Sequence, residues 1–81
     1  MNKLDALEIV NRSASKVLKK NINLSFESNI KNENIFDSFD IMLFFIELED
    51  ATGLVVPDND ELFKNDWYSV EKICREIVKV R

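Results

Sequence analysis

Asp37-Ser38-Phe39-Asp40 runs without a break into Ile41-Met42-Leu43-Phe44-Phe45-Ile46-Glu47-Leu48-Glu49-Asp50, and this stretch decides the fold. Asp37 is a preferred N-cap residue, and Asp40 three positions later completes a capping-box-like pair. Phe36 before the cap and Ile41 after it have the spacing of a hydrophobic staple. Gly53 suits a C-cap, so the stretch predicts a helix of about fifteen residues. Ser38 is then the first residue inside it. A helix start offers unpaired N–H groups and a positive dipole end, an environment that accepts a phosphate.

The same helix carries two apolar stripes where a surface helix needs one. Ile41, Phe44, Phe45 and Leu48 follow the i, i+3, i+4, i+7 pattern, and so do Phe39, Met42, Leu43 and Ile46. At about 100° per residue the two sets face roughly opposite sides. A chain of this size is expected to bury one stripe and to leave the other against a loop or open as a docking face. The alternative is a central helix buried all round.

Outward from this helix, Leu4, Leu7, Val10, Ala14, Val17 and Leu18 predict an amphipathic helix over residues 3–19, with Lys19 and Lys20 in its last turn. Residues 21–36 hold five asparagines and read as a long ordered loop, pinned by Ile22, Leu24, Phe26, Ile30 and Ile35. After Gly53, Leu54-Val55-Val56-Pro57 is an extended apolar segment. A short helical turn over 58–63 follows, then a last helix capped by Ser69, with Val70, Ile73, Cys74, Ile77 and Val80 inward. The expected architecture is all-α, an antiparallel bundle of three main helices and one short one, forming a single domain over residues 1–81.

Composition narrows the chemistry. The 81 residues include no histidine, which removes the usual general base and the commonest metal ligand. The single cysteine, Cys74, cannot form an intrachain disulfide, and its spacing makes it a small buried hydrophobe. The net charge of −4 is uneven: residues 33–66 hold ten acids against Lys64 alone, a net −9, and the rest of the chain carries +5. Such an acidic middle repels nucleic acid phosphates and suits a basic protein partner. The opening Met1-Asn2-Lys3-Leu4-Asp5 lacks the apolar core of a signal peptide, and the longest apolar run, Ile41 to Ile46, is far short of a membrane span. A cytoplasmic chain without membrane insertion is expected.

Six serines occur (13, 15, 25, 28, 38 and 69), and Ser38 alone joins an acidic flank to an apolar helix. Its acidic neighbours disfavour an alkoxide and no histidine can take its proton, so it fails as a hydrolase nucleophile. As an acceptor modified by another enzyme it needs only exposure and a helix start. Asp58, Asp60 and Glu61 hint at calcium, but the loop glycine and closing glutamate of an EF-hand are absent, and capping of the short helix accounts for them better.

Asp-Ser-Phe-Asp in the middle of a helical chain of this length resembles the Asp-Ser-Leu motif of acyl carrier proteins. The likeness continues in register through Glu47-Leu48-Glu49-Asp50, Gly53, Val56-Pro57-Asp58 and the closing helix around Val70 and Ile73, covering residues 35–78. Residues 1–34 match only in helix pattern and length. The resemblance implies that Ser38 carries a 4′-phosphopantetheine arm, attached from coenzyme A by a phosphopantetheinyl transferase with Mg²⁺, whose thiol holds cargo as a thioester. It also implies a docking surface of Asp37, Phe39, Met42, Leu43, Ile46, Glu49 and Asp50 on the second helix, the apolar members of which match one of the two stripes. Partners would be an acyl- or aminoacyl-loading ligase and a downstream acyltransferase or synthase, with the chain itself a monomer and not an enzyme.

The sequence also departs from the family pattern. Phe39 replaces the usual leucine, and Leu43 stands where fatty-acid carriers usually place glutamate. The Phe63…Trp67-Tyr68-Ser69 segment looks more like D-alanyl and related aminoacyl carriers, and Phe44 and Phe45 add interior bulk, leaving little space for a long acyl chain. These features favour a specialised biosynthetic pathway over general fatty acid synthesis. The competing expectation is a small helical interaction module that docks through the Phe39–Ile46 face with Ser38 unmodified.

Overall fold

A computed structural model describes residues 1–32 and 34–80 of the chain, without the side chains of Asn59, Asp60 and Phe63. The parts assigned above to Glu33, Asp60 and Phe63 therefore lie outside the described residues. The molecule is all-helical: α1 (Lys3–Leu18), α2 (Ser38–Thr52), the six-residue α3 (Asn59–Lys64) and α4 (Val70–Val80). Among the described residues the only extended pairing is an isolated antiparallel bridge between Asn29 and Ser69.

Helix α1 packs against both α2 and α4. Its start is capped by Asn2, whose side-chain oxygen accepts the Asp5 N–H at 2.9 Å. Its buried face is Ala6, Val10 and Ala14, all fully buried, with Ser13 beside them. Leu4, expected on that face, is instead 68% exposed. The small Ala6 and Ala14 let two neighbouring helices approach closely, so the packed face turns towards them and away from Leu4. The helix ends at Leu18; Lys19 follows as a left-handed cap with φ 57°, its N–H donated to the Ser15 carbonyl. Lys19 and Lys20 thus lie just beyond the last turn, not in it.

The connection from α1 to α2 is ordered by side chains that stand in for a partner strand. Asn11 donates its amide to the Leu24 carbonyl at 3.1 Å and accepts the Leu24 N–H in return. Ser15 Oγ accepts the Ile22 N–H at 2.9 Å. The flanking Ile22, Leu24 and Ile30 are buried as expected. Ile35 is not; it points outward, and Phe36 takes the core position one residue later. Farther along, the Ile30 N–H reaches the Tyr68 carbonyl at 2.9 Å and the Val70 N–H reaches the Ser28 carbonyl at 3.0 Å, tying the loop to the start of α4.

The start and stop of α2 agree with the sequence reading. Gly53 closes the helix at φ 77°, donating its N–H to Glu49, a conformation that costs glycine little and other residues strain. Phe44 and Leu48 are fully buried and Phe45 nearly so. Phe36 packs on Phe44 with ring centroids 5.7 Å apart, one turn deeper than the Ile41 contact expected of a staple. The aromatic chain continues from Phe44 to Phe45 at 5.4 Å and from Phe45 to Tyr68 at 6.4 Å.

After α2, Leu54 and Val55 alternate inward and outward, and Asp58 caps α3 by accepting the Glu61 N–H at 3.3 Å. Ser69 Oγ faces the Lys72 N–H at 3.4 Å, the expected cap of α4. Val70, Ile73, Cys74 and Ile77 are fully buried. Val80 is 49% exposed rather than inward, because the last turn of α4 outruns the elements that cover its apolar face.

Candidate functional site at the start of the second helix

The backbone of Asp37 is extended (φ −94°, ψ −179°), which turns its side chain back over the first turn of α2. Asp37 Oδ1 accepts the Asp40 N–H at 2.8 Å, and Asp40 Oδ2 accepts the Asp37 N–H at 3.3 Å. This reciprocal box satisfies two of the amides a helix start leaves open, without help from Ser38. Ser38 is exposed, and among the described residues no hydrogen bond engages its hydroxyl. Both flanking carboxylates are turned to backbone amides. The arrangement presents a primary hydroxyl at a positive dipole end, free to be modified.

From Ser38 an apolar stripe runs down the outer side of α2. Phe39 is 61%, Met42 50% and Ile46 53% exposed, whereas Leu43 is half-buried. The helix is therefore not buried all round, and its second stripe is open. Asp37, Glu49 and Asp50 are exposed around it. Glu47 is occupied elsewhere: its carboxylate binds the Lys16 ammonium at 3.0 Å, and this hydrogen bond holds the Lys16 pKa above its ordinary value.

Beside the stripe lies a groove of about 410 Å³, within the range of small-molecule sites. Its α2 wall includes Ser38, Met42, Phe45, Ile46 and Glu49. Facing them are Lys31, Val56, Pro57, Leu62 and Tyr68. The Lys31 ammonium stands 5.2 Å from the centre of the Tyr68 ring. Of this wall the sequence reading singles out Ser38, Met42, Ile46 and Glu49, places Phe45 on the opposite stripe, and misses the facing wall; Asp37, Phe39, Leu43 and Asp50 do not line the groove. Lys31 and Tyr68 are distant in sequence and meet only because the loop pairs with the start of α4, a contact with no local signature.

The remaining candidates resolve simply. Asp58 caps α3, Glu61 accepts the Asn65 side-chain amide at 2.7 Å, and among the described residues no group of acids, cysteines or histidines is arranged to hold a metal. Cys74 is fully buried, and burial pushes its thiol from the ordinary 9.0 up to about 11, the mark of an inert core residue. Among the described residues no helix is long and apolar enough to cross a membrane. No family model, curated protein or solved structure matches the chain.

The residues present fit a phosphopantetheine group on Ser38. Its hydroxyl is exposed and uncommitted, the helix start favours a phosphodiester, and a groove of mixed apolar and charged lining opens directly beside it.

Proposed function

We propose that the chain is a carrier protein of the acyl-carrier type, an antiparallel bundle of three main helices and a short one, loaded on Ser38 and docked to its partners through α2. The observation that carries this reading is the Ser38 hydroxyl: exposed, relieved of capping by the Asp37–Asp40 box, and set at the head of an open apolar stripe. In loading, the Ser38 oxygen forms a bond to the phosphorus of coenzyme A while the pyrophosphate linkage breaks. The adenosine bisphosphate leaves, and the serine proton passes to a base on the Mg²⁺-dependent transferase. When bound, the 4′-phosphopantetheine arm supplies a terminal thiol that holds an acyl or aminoacyl cargo as a thioester.

The chain's own residues bind and orient. Phe39, Met42 and Ile46 offer apolar area, with half-buried Leu43 at its edge, and Asp37, Glu49 and Asp50 supply the charge that a basic partner reads. Catalysis belongs to the loading ligase and to the downstream acyltransferase or synthase. Tethering raises the effective concentration of the cargo at each of them. The carrier works as a cytoplasmic monomer, without nucleic acid or membrane, in a specialised biosynthetic pathway.

A second reading, an unmodified interaction module, draws on the same exposed Phe39, Met42 and Ile46. Fragment mass spectrometry of the chain isolated from its own cells separates the two. A phosphopantetheine adduct on the peptide containing Ser38 is expected, and a population wholly unmodified at Ser38 overturns the carrier reading in favour of the adaptor.

A further inference from the structure

We propose that the groove beside Ser38 seats the prosthetic arm along α2, and that the Glu49 carboxylate at its far end receives a cationic amine on the cargo. This rests on the carrier reading above. Ser38, Met42, Phe45 and Glu49 recur at steps of four, three and four residues, so they form one line down a single face of α2 and the groove follows the helix axis. It does not lead into the centre of the molecule, because Phe44 and Leu48 are fully sealed and Phe45 closes the floor.

The length agrees with that occupant. At about 1.5 Å of rise per residue, the path from Ser38 to Glu49 spans about 16 Å. The arm has about fourteen bonds from the serine oxygen to its sulfur, and an extended chain advances about 1.2 Å per bond, so it reaches about 17 Å. An arm laid along α2 brings its thiol to Glu49. Met42, Ile46 and Val56 line the way with apolar surface suited to its methyl and methylene groups, and the Lys31 ammonium lies on the facing wall.

Among the described residues two charged side chains line the groove, Lys31 and Glu49, and they have opposite signs. A cationic cargo is drawn to Glu49. That carboxylate is held by the Val56 N–H at 3.2 Å, which fixes its position and uses one of its roughly four acceptor sites. Among the described residues no lysine or arginine forms an ion pair with it, in contrast to Glu47 with Lys16. A purely alkyl cargo ending there gains nothing from this exposed, hydrated carboxylate, whereas the ammonium of an aminoacyl group pairs with it. The cargo class that this groove selects is therefore amine-bearing and short.

The test uses isotope-labelled full-length chain, loaded by a broad-specificity transferase from hydrolysis-stable amide analogues of glycyl- and propionyl-coenzyme A. These cargoes differ in an ammonium replacing a methyl group. Intact mass first establishes loading, and a chain that takes up no arm overturns the carrier reading and this proposal with it. With the arm present, nuclear Overhauser contacts from the arm to Met42 and Ile46 are expected. The Val56 amide resonance should move with the glycyl and not with the propionyl cargo, and Glu49→Gln should abolish that difference while the arm contacts remain. A loaded arm without contacts to Met42 or Ile46, or a Val56 response identical for both cargoes, overturns the groove assignment and leaves the carrier reading standing.

Discussion

Asp37 and Asp40 each hold the other's backbone amide at the start of α2, at 2.8 Å and 3.3 Å, and the serine between them has no structural task. Stability and modification are therefore separable at adjacent positions. Asp37→Ala removes the carboxylate that satisfies the Asp40 N–H, at a cost of about 1 kcal/mol. In a domain of this size that lowers Tm by about 4–8 °C. Calorimetry checks it, and Asp37→Asn should avoid most of that loss, since its side-chain oxygen accepts the same bond.

The two stripes of α2 should respond oppositely to truncation. Phe44 is fully buried between Phe36 and Phe45, so Phe44→Ala opens a cavity and costs about 3–5 kcal/mol in denaturant unfolding. Ile46 is 53% exposed, and Ile46→Ala should change stability by less than about 0.5 kcal/mol. Its loss should appear instead in partner affinity, weakened by about tenfold in a titration against the loading enzyme. A large loss of stability in Ile46→Ala would place it in the core.

Cys74 gives an alkaline dependence. Its thiol titrates near 11 in the folded chain against an ordinary 9.0, so the folded state holds the proton more tightly than the unfolded state. The resulting stability is fully present below pH 9 and is lost as pH rises from about 9 towards 11. Melting curves of the native chain and Cys74→Ala across that window should converge with rising pH.

Glu76 gives the acid counterpart. Hydrogen bonds from Lys72 at 3.0 Å and Lys79 at 3.1 Å hold its carboxyl below the ordinary 4.5, against a smaller opposing effect of burial. The stabilisation is present above that value and is lost as pH falls through the lowered one. Glu76→Gln should melt below the native chain at neutral pH, and the gap should close as the solution is acidified.

The parts of the fold governed by neighbours in sequence were legible. The Asp37 cap and the Gly53 stop follow from short-range rules, and spacing puts Phe44 and Phe45 on one apolar stripe without saying that this stripe is the buried one. Periodicity located the apolar side of α1 but not its rotation. Ala6 displaces Leu4 because close helix approach rewards small residues, a property of the packed pair. In the loop, without any period, Phe36 takes the core position expected of Ile35. The groove was not legible, because its facing wall joins Lys31 to Tyr68 through the Ile30–Tyr68 backbone hydrogen bond.

The most direct test of the carrier reading is intact mass after incubation of the purified chain with coenzyme A, Mg²⁺ and a broad-specificity phosphopantetheinyl transferase, with Ser38→Ala alongside. The account predicts one phosphopantetheine on the native chain and none on the variant, whose melting temperature should match the native one because the Asp37–Asp40 box remains. An unmodified native chain beside a fully modified control carrier, or an adduct that persists in Ser38→Ala, would contradict it.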